Sequence, residues 1–451
     1  MKIIINYILK FFKAGGQKPP IKDKNEIDNL FSKHRKEVLI AIIFSYGFAY
    51  TCRLALSVVK KPLIDNEIFS ITELGLVGSS FFYGYAFGKF FNGFLADHVN
   101  VKKFLSFGLI ISGIINIIMG SVPSLFFWVA LWGLNGWFQG FGAPSCAISL
   151  TNWFSASERG RYYGLWSSSH SIGEGLTFIG TATLVSFFSW KAGFIGPGIT
   201  LIIVAFIAYY FLQDHPKTLG LPSISNWRNE PVNKSYTNSF SDIIKSQFQI
   251  IKIRSIWIIG LSSATMYITR YAINSWGILY LQEAKGFTLI EAGSLIGLNT
   301  FAGIIGCIAY GFISDKYFEA RRPPVTFLFG LLEIGSLLLI FFGSPSTLTL
   351  SIGFIIYGFT LSGLLAVLGG LFAVDIAPKN ATGAAMGFIG IFSYLGAAFQ
   401  ENISSHLIEN SITVIGGETI YNFDDAIAFW VSASVVSLLL ALSLWKIQAK
   451  D

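Results

Sequence analysis

Apolar positions in this chain fall in long runs rather than in stripes. Runs of about 20 residues with few charges recur at about 38–58, 73–95, 103–121, 125–147, 162–188, 193–213, 254–281, 290–313, 324–343, 347–374, 381–407 and 425–446, each long enough to cross the roughly 30 Å hydrocarbon layer of a bilayer as an α-helix. Lipid offers no partner for backbone N–H and C=O groups, so such runs satisfy them internally as helices. One polar stretch, from Asp214 to about Ile253 with Pro216, Pro222 and Pro231, divides the series into six and six. The expected organisation is an N-terminal tail over 1–37, a six-helix bundle over 38–213, a middle loop over 214–253, a second six-helix bundle over 254–446 and a C-terminal end over 447–451.

The loops alternate in charge. Of the 32 lysines and arginines, three lie within the runs and four (Lys60, Lys61, Lys191, Lys285) in one set of loops; the other set, with the termini and the middle loop, holds the remaining 25. Cytoplasmic loops carry the Lys/Arg excess, so both termini and the middle loop are expected on the cytoplasmic side of an inner membrane. The N-terminal run Ile3–Phe12 is short, is broken by Lys10 and lacks a small-x-small cleavage site. It reads as an amphipathic anchor or an unstructured tail rather than a signal peptide.

The two halves repeat. Gly93-Phe94-Leu95-Ala96-Asp97 followed by Lys102-Lys103 returns as Gly311-Phe312-Ile313-Ser314-Asp315 followed by Arg321-Arg322, and Gly140-Phe141 returns at the same offset as Gly358-Phe359. Repeats of this kind place a binding site where two bundles meet. Arg53 and Arg270 are one residue from the repeat offset, so they face one another across that central space.

Composition agrees with a polytopic membrane protein: 53% hydrophobic and 13% charged, against about 25% charged in soluble domains. The net charge of +7 lies at loops and termini, and its placement gives no reason to invoke nucleic acid. Cys52, Cys146 and Cys307 sit inside apolar runs with no metal-type spacing and read as small apolar residues. There is no Gly-x-x-x-x-Gly-Lys-Ser/Thr loop and no His-Glu-x-x-His, so no enzyme, cofactor, metal or ATP-driven pump is expected.

Candidate chemistry lies in the charges placed at bilayer depth: Arg53, Lys89 and Arg270. Each costs roughly 2.5–3.5 kcal/mol there on insertion scales, and such residues serve substrate or ion pathways. Two guanidiniums across a shared space form a bidentate clamp for phosphate or carboxylate. The competing reading pairs each arginine with a buried carboxylate, for which Glu174, Glu333 and Glu401 are available. Lys89 adds a point charge or is a snorkelling structural lysine. His170 can titrate near neutrality or serve as a helix–helix hydrogen-bond partner. Glu174, one turn beyond it, has His170, Lys89 or another helix as possible partners.

The paired Gly-x-x-x-Asp loops and the six-plus-six layout resemble the major facilitator superfamily, whose fold is all-α with twelve transmembrane helices in two six-helix bundles. Within it the chain resembles the organophosphate:phosphate antiporters from about residue 40 to its end. Arg159-Gly160 with Trp166, His170 and Ile172-Gly173, Gly136-Trp137-Phe138-Gln139-Gly140, and Tyr267 through Gly277 carry the resemblance. Leu219-Gly220-Leu221-Pro222 through Trp227-Arg228 is most similar to the hexose-phosphate sensor/transporter branch.

The resemblance implies a substrate site at Arg53, Arg270, Lys89, His170, Tyr46, Tyr50, Tyr85, Gln139, Tyr267 and Tyr394. It gives Asp97 and Asp315 a role in the conformational cycle; the alternative is that they are exposed loop acids. It implies gradient-driven exchange of a hexose phosphate, glucose 6-phosphate first, for inorganic phosphate by a single chain. The alternatives are a glycerol-3-phosphate exchanger and a membrane sensor of hexose phosphate that signals to a kinase partner. The chain departs from the family pattern at Leu54, Ser167, Ser171, Glu174, Ala143-Pro144 and Leu364-Leu365.

Overall fold

The computed structural model describes residues 11–13, 15–96, 99–230, 250–319, 321–377, 382–416 and 418–446. Among these, twelve long helices follow one another, several of them broken: α1 (Lys24–Asp65), α2 (Ile71–Ala96), α3 (Val101–Met119), α4 (Leu125–Gln139, resuming as Gly142–Trp153), α5 (Ala156–Leu176, resuming as Ala182–Phe187), α6 (Ala192–Phe211), α7 (Arg254–Tyr271, resuming as Gly277–Glu283), α8 (Leu289–Tyr317), α9 (Arg322–Phe342), α10 (Thr347–Ala366, resuming as Phe372–Ile376), α11 (Thr382–Asn410) and α12 (Asp424–Leu442). They correspond one for one to the apolar runs and form two six-helix bundles. α1 extends past its run at both ends. The breaks in α5, α7 and α10 are single π-helical turns at Thr177–Thr181, Ala272–Trp276 and Val367–Leu371. A short antiparallel hairpin, Thr413–Ile415 with Glu418–Ile420, joins α11 to α12, in a stretch where the hydropathy pattern predicts no element.

The repeat has a packing cause. In the first half α2 packs on α4, and in the second α8 packs on α10. A Cβ at Gly140 would stand 2.7 Å from the backbone of Gly88 and Lys89, and one at Gly358 would stand 1.9 Å from the Asn299 carbonyl oxygen. Only glycine permits either approach, which is how small residues let membrane helices close on one another. Across the halves α2 meets α11 and α5 meets α8.

The outer surface is apolar, with Phe126, Phe187, Phe206, Ile305, Ile308 and Leu348 exposed, as a lipid-facing wall requires. Among the described residues, seven helices (α1, α3, α6, α8, α9, α10, α12) are long and apolar enough to cross a membrane on composition alone. The others, α2, α4, α5, α7 and α11, carry the polar side chains described below. Together with α1 they surround the centre.

The segment before α1 and the first part of the middle loop dock on one end of the first bundle. Asp214, nearly buried, accepts hydrogen bonds from the Val101 backbone N–H (3.0 Å), Asn100 Nδ2 (3.1 Å) and the Gly15 N–H (3.1 Å). Trp227 stacks on Phe31 at 4.4 Å, and Glu158 binds both Arg35 (2.5 Å) and Arg228 (3.2 Å). Residues 214–230 are therefore bound structure rather than free linker.

Candidate functional site

Six helices supply the central side chains. α1 places Tyr46, Tyr50 and Arg53 on one face through i, i+3 and i+4 spacing. Arg53 is 4% exposed. Its Cζ lies 4.2 Å from the ring centroid of Tyr50 and 4.4 Å from that of Tyr85 on α2, so the guanidinium is stacked against two aromatic rings. Nη2 donates to Gln139 Oε1 on α4 at 3.3 Å. Gln139 is itself held by donating Nε2 to the Ala49 carbonyl and to Ser112 Oγ, both at 2.9 Å. Nε and Nη1 of Arg53 are buried without a hydrogen-bond partner. No carboxylate among the described residues pairs with Arg53.

Arg270 differs. It is 6% exposed, at the end of the first segment of α7, and its Nη2 donates to Glu174 Oε1 on α5 in a buried ion pair. Asn274 Nδ2 reaches the same oxygen at 3.5 Å. Tyr267 and Tyr271 flank the guanidinium, 5.8 and 5.5 Å from Cζ to ring centroids. The carboxylate-pairing alternative thus holds for Arg270 and fails for Arg53. The sequence left Glu174 with several possible partners; its partner is an arginine of the other half. Of the other two candidate carboxylates, Glu333 accepts from Ser434 Oγ at 2.8 Å and Glu401 pairs with Lys60.

A chain of rings joins the arginines. Tyr85 meets Tyr394 of α11 at 4.5 Å between centroids, and Tyr394 meets Tyr267 at 5.4 Å. Lys89 Nζ lies 5.6 Å from the Tyr394 ring and has no carboxylate partner among the described residues. Tyr46 packs between Tyr50 (5.6 Å) and Trp166 (5.0 Å). The His170 ring lies 6.0 Å from that of Tyr50. Its Nδ1 bonds the Ser167 carbonyl, which can only accept, so Nδ1 carries a hydrogen; Nε2 meets Ser171 Oγ at 3.3 Å. All ten residues named from the sequence for a substrate site lie in this one cluster.

Of the two loop acids, Asp315 binds Arg322 at 3.1 Å, joining the end of α8 to the start of α9. Asp97 lies outside the described residues.

Three central features are not evident from the sequence. Tyr271 lies against Arg270 and also against Phe82 of α2, at 4.3 Å. Asn274 belongs to the π-helical turn of α7. The apolar run predicts Lys60 in a loop, yet α1 continues to Asp65 and buries it completely. Its Nζ donates to Glu401 Oε2 (3.0 Å) and Ser275 Oγ (2.7 Å) and sits 3.2 Å over the Trp276 ring. Lys61 also crosses the halves, to Glu283, and the Thr72 N–H donates to Glu409 at 2.5 Å. A charge two residues past the end of an apolar run was a signal that the helix could extend. These polar contacts fasten the halves at the end of the molecule that carries Lys60.

Comparison with known proteins agrees with this architecture. The Major Facilitator Superfamily profile matches residues 39–400. The chain is 34% identical to the Escherichia coli membrane sensor protein UhpC, over 87% of this chain and 90% of that one. It is 31% identical to a probable hexose phosphate transport protein of Chlamydia muridarum (88% and 90%). It is 32% identical to a glycerol-3-phosphate transporter of Bacillus subtilis (94% and 95%). Among solved structures, a bacterial homologue of the human lysosomal transporter Spinster in an inward-facing, occupied conformation matches with a TM-score of 0.71 at 17% identity, over 91% of this chain and 96% of that one.

Proposed function

We propose that this chain, which belongs to the major facilitator superfamily and to its organophosphate:phosphate antiporter branch, imports a hexose phosphate, glucose 6-phosphate first, in exchange for inorganic phosphate. One observation carries the reading: Arg53 is buried and stacked on two rings, with two guanidinium nitrogens, Nε and Nη1, unpaired. Buried donors are ordinarily satisfied, and a phosphate's oxygens are acceptors matched to that planar fork. Arg270 forms the second arm. Lys89, His170, Gln139 and the tyrosines line the space between the arms and the organic part of the substrate. Catalytic chemistry is absent from this reading; the work is alternating access by rocking of residues 38–213 against 254–446 around a fixed site.

The charge asymmetry of the loops supports a cytoplasmic position for both termini and the middle loop. The end fastened by Lys60 and Glu401 is then the external one, and the described conformation is closed to the outside. Exchange follows if a site with unmatched guanidiniums crosses poorly: only the loaded protein reorients, so one phosphate compound leaves as another enters.

Purified protein in phosphate-loaded liposomes is expected to take up labelled glucose 6-phosphate, empty liposomes little, and glucose is not expected to compete. Uptake of glycerol 3-phosphate alone would defeat the substrate assignment and leave the clamp standing. A second reading is favoured by the likeness to UhpC, named a membrane sensor: the chain binds hexose phosphate and signals to a kinase partner. Tight glucose 6-phosphate binding with no exchange would select it.

A further inference from the structure

The two arms of the site are unequal. Arg53 is stacked and uncompensated, whereas Arg270 already holds a carboxylate. We propose that Glu174 is a resident counter-anion for Arg270, and that an incoming phosphate group displaces it and leaves it protonated, so that each dianion binds together with one proton. The inference rests on the reading of Arg53 and Arg270 as the phosphate site.

The argument is local. Glu174 is 5% exposed, and its Oε1 takes Arg270 Nη2 and Asn274 Nδ2. The ionisable groups facing it are Arg270 on α7, Tyr50 on α1 and Tyr357 on α10, with His170 one turn earlier on its own helix; Arg53 faces Tyr50 and His170 in turn. Arg270 is the only cation in ion-pair contact with Glu174 among the described residues. A phosphate that spans both arginines takes that cation. The carboxylate would then be a buried charge with no counter-charge beside a dianion, the arrangement that protein interiors tolerate least. Taking a proton removes the charge, as happens when two acidic groups share one site. The proton comes from the buffered solvent, which keeps the conjugate base, a new O–H bond forms on Glu174, and no bond of the substrate is made or broken. When phosphate leaves, Glu174 releases the proton and returns to Arg270, so the empty site never holds two uncompensated arginines. A phosphate that binds only the free edge of Arg53 would leave the Glu174 pair intact and take no proton there.

The test is calorimetric titration of the full chain with inorganic phosphate at roughly pH 8, in buffers of differing ionisation enthalpy, which counts protons taken up on binding. The wild type is expected to take up about one proton more per phosphate than Glu174→Gln, in which the amide needs none. Equal uptake by the two overturns the inference and leaves the site intact. Absence of phosphate binding to the wild type overturns the site and the inference together. Should Glu174→Gln not fold, infrared difference spectra of the wild type with and without phosphate decide. A carboxylic-acid band that appears with phosphate is expected, and its absence overturns the proposal.

Discussion

Lys60 on α1 and Glu401 on α11 hold each other at 3.0 Å across the two halves, with side chains 0% and 1% exposed. Neither charge has water to fall back on, so the pair, together with Ser275 and the Trp276 ring, seals one end of the molecule for as long as the halves stay together. An alternating-access cycle must take this pair apart.

Breaking one partner is therefore expected to be costly and one-sided. Lys60→Met leaves Glu401 buried alone and is expected to remove about 3–5 kcal/mol from the closed conformation. Lys60→Met with Glu401→Leu is expected to recover most of it. Thermal unfolding in detergent measures the loss. Reactivity of a cysteine at Ser275 reports whether the end has opened.

The arms of the site should be intolerant of charge-preserving change. Arg53→Lys keeps the charge and loses the planar fork stacked between Tyr50 and Tyr85. Loss of about 1.5–3 kcal/mol in phosphate binding, roughly 10- to 150-fold, is expected, with insertion and folding unchanged. Equilibrium phosphate binding to the purified variant checks this, and wild-type affinity would remove Arg53 from the site.

Asp315 touches Arg322 rather than any residue of the central cluster. Asp315→Asn is expected to slow exchange while phosphate affinity stays within about twofold, if the proposed role of the Asp315–Arg322 pair in the conformational step holds. Paired binding and liposome-exchange measurements separate the two. An equal loss in both would place Asp315 at the site.

Orientation is open to direct labelling. Cysteines at Ser121 and Lys191 are expected to react with an impermeant maleimide in intact cells, and one at Lys217 only after permeabilisation. External labelling at position 217 would reverse the assignment.

Most of this architecture was legible because lipid imposes one rule on every span. A run of about 20 apolar residues has few options other than a helix, and a repeated glycine such as Gly140 and Gly358 marks where backbones touch. Of the ten candidate site residues, Arg53, Lys89 and Arg270 are legible as charges inside such runs, and the full set rests on the family resemblance. Pairings were not legible. Nothing in the order of residues tells whether Glu174 turns towards His170 on its own helix or towards Arg270 on α7, since that depends on how two bundles meet. Lys60 was misplaced for a related reason: hydropathy ends where charge begins, whereas the helix ends where its backbone does, and a partner on α11 lets the charge stay inside. The docking of residues 214–230 was likewise hidden, because Arg228 and Trp227 look like ordinary loop residues until Glu158 and Phe31 are beside them.

The π-helical turn of α7 has a mechanical consequence. Arg270, at the centre, lies two residues before its first residue, and it contains Asn274, Ser275 and Trp276, which touch Glu174 and Lys60. Arg270 and the residues that hold Lys60 are thus two points on a single short lever, about 9 Å apart along the helix axis at 1.5 Å per residue. Turns of this kind are where a helix bends or changes register. In the proposed cycle, a pull on Arg270 by an arriving anion would reach the seat of Lys60 through six residues of one backbone.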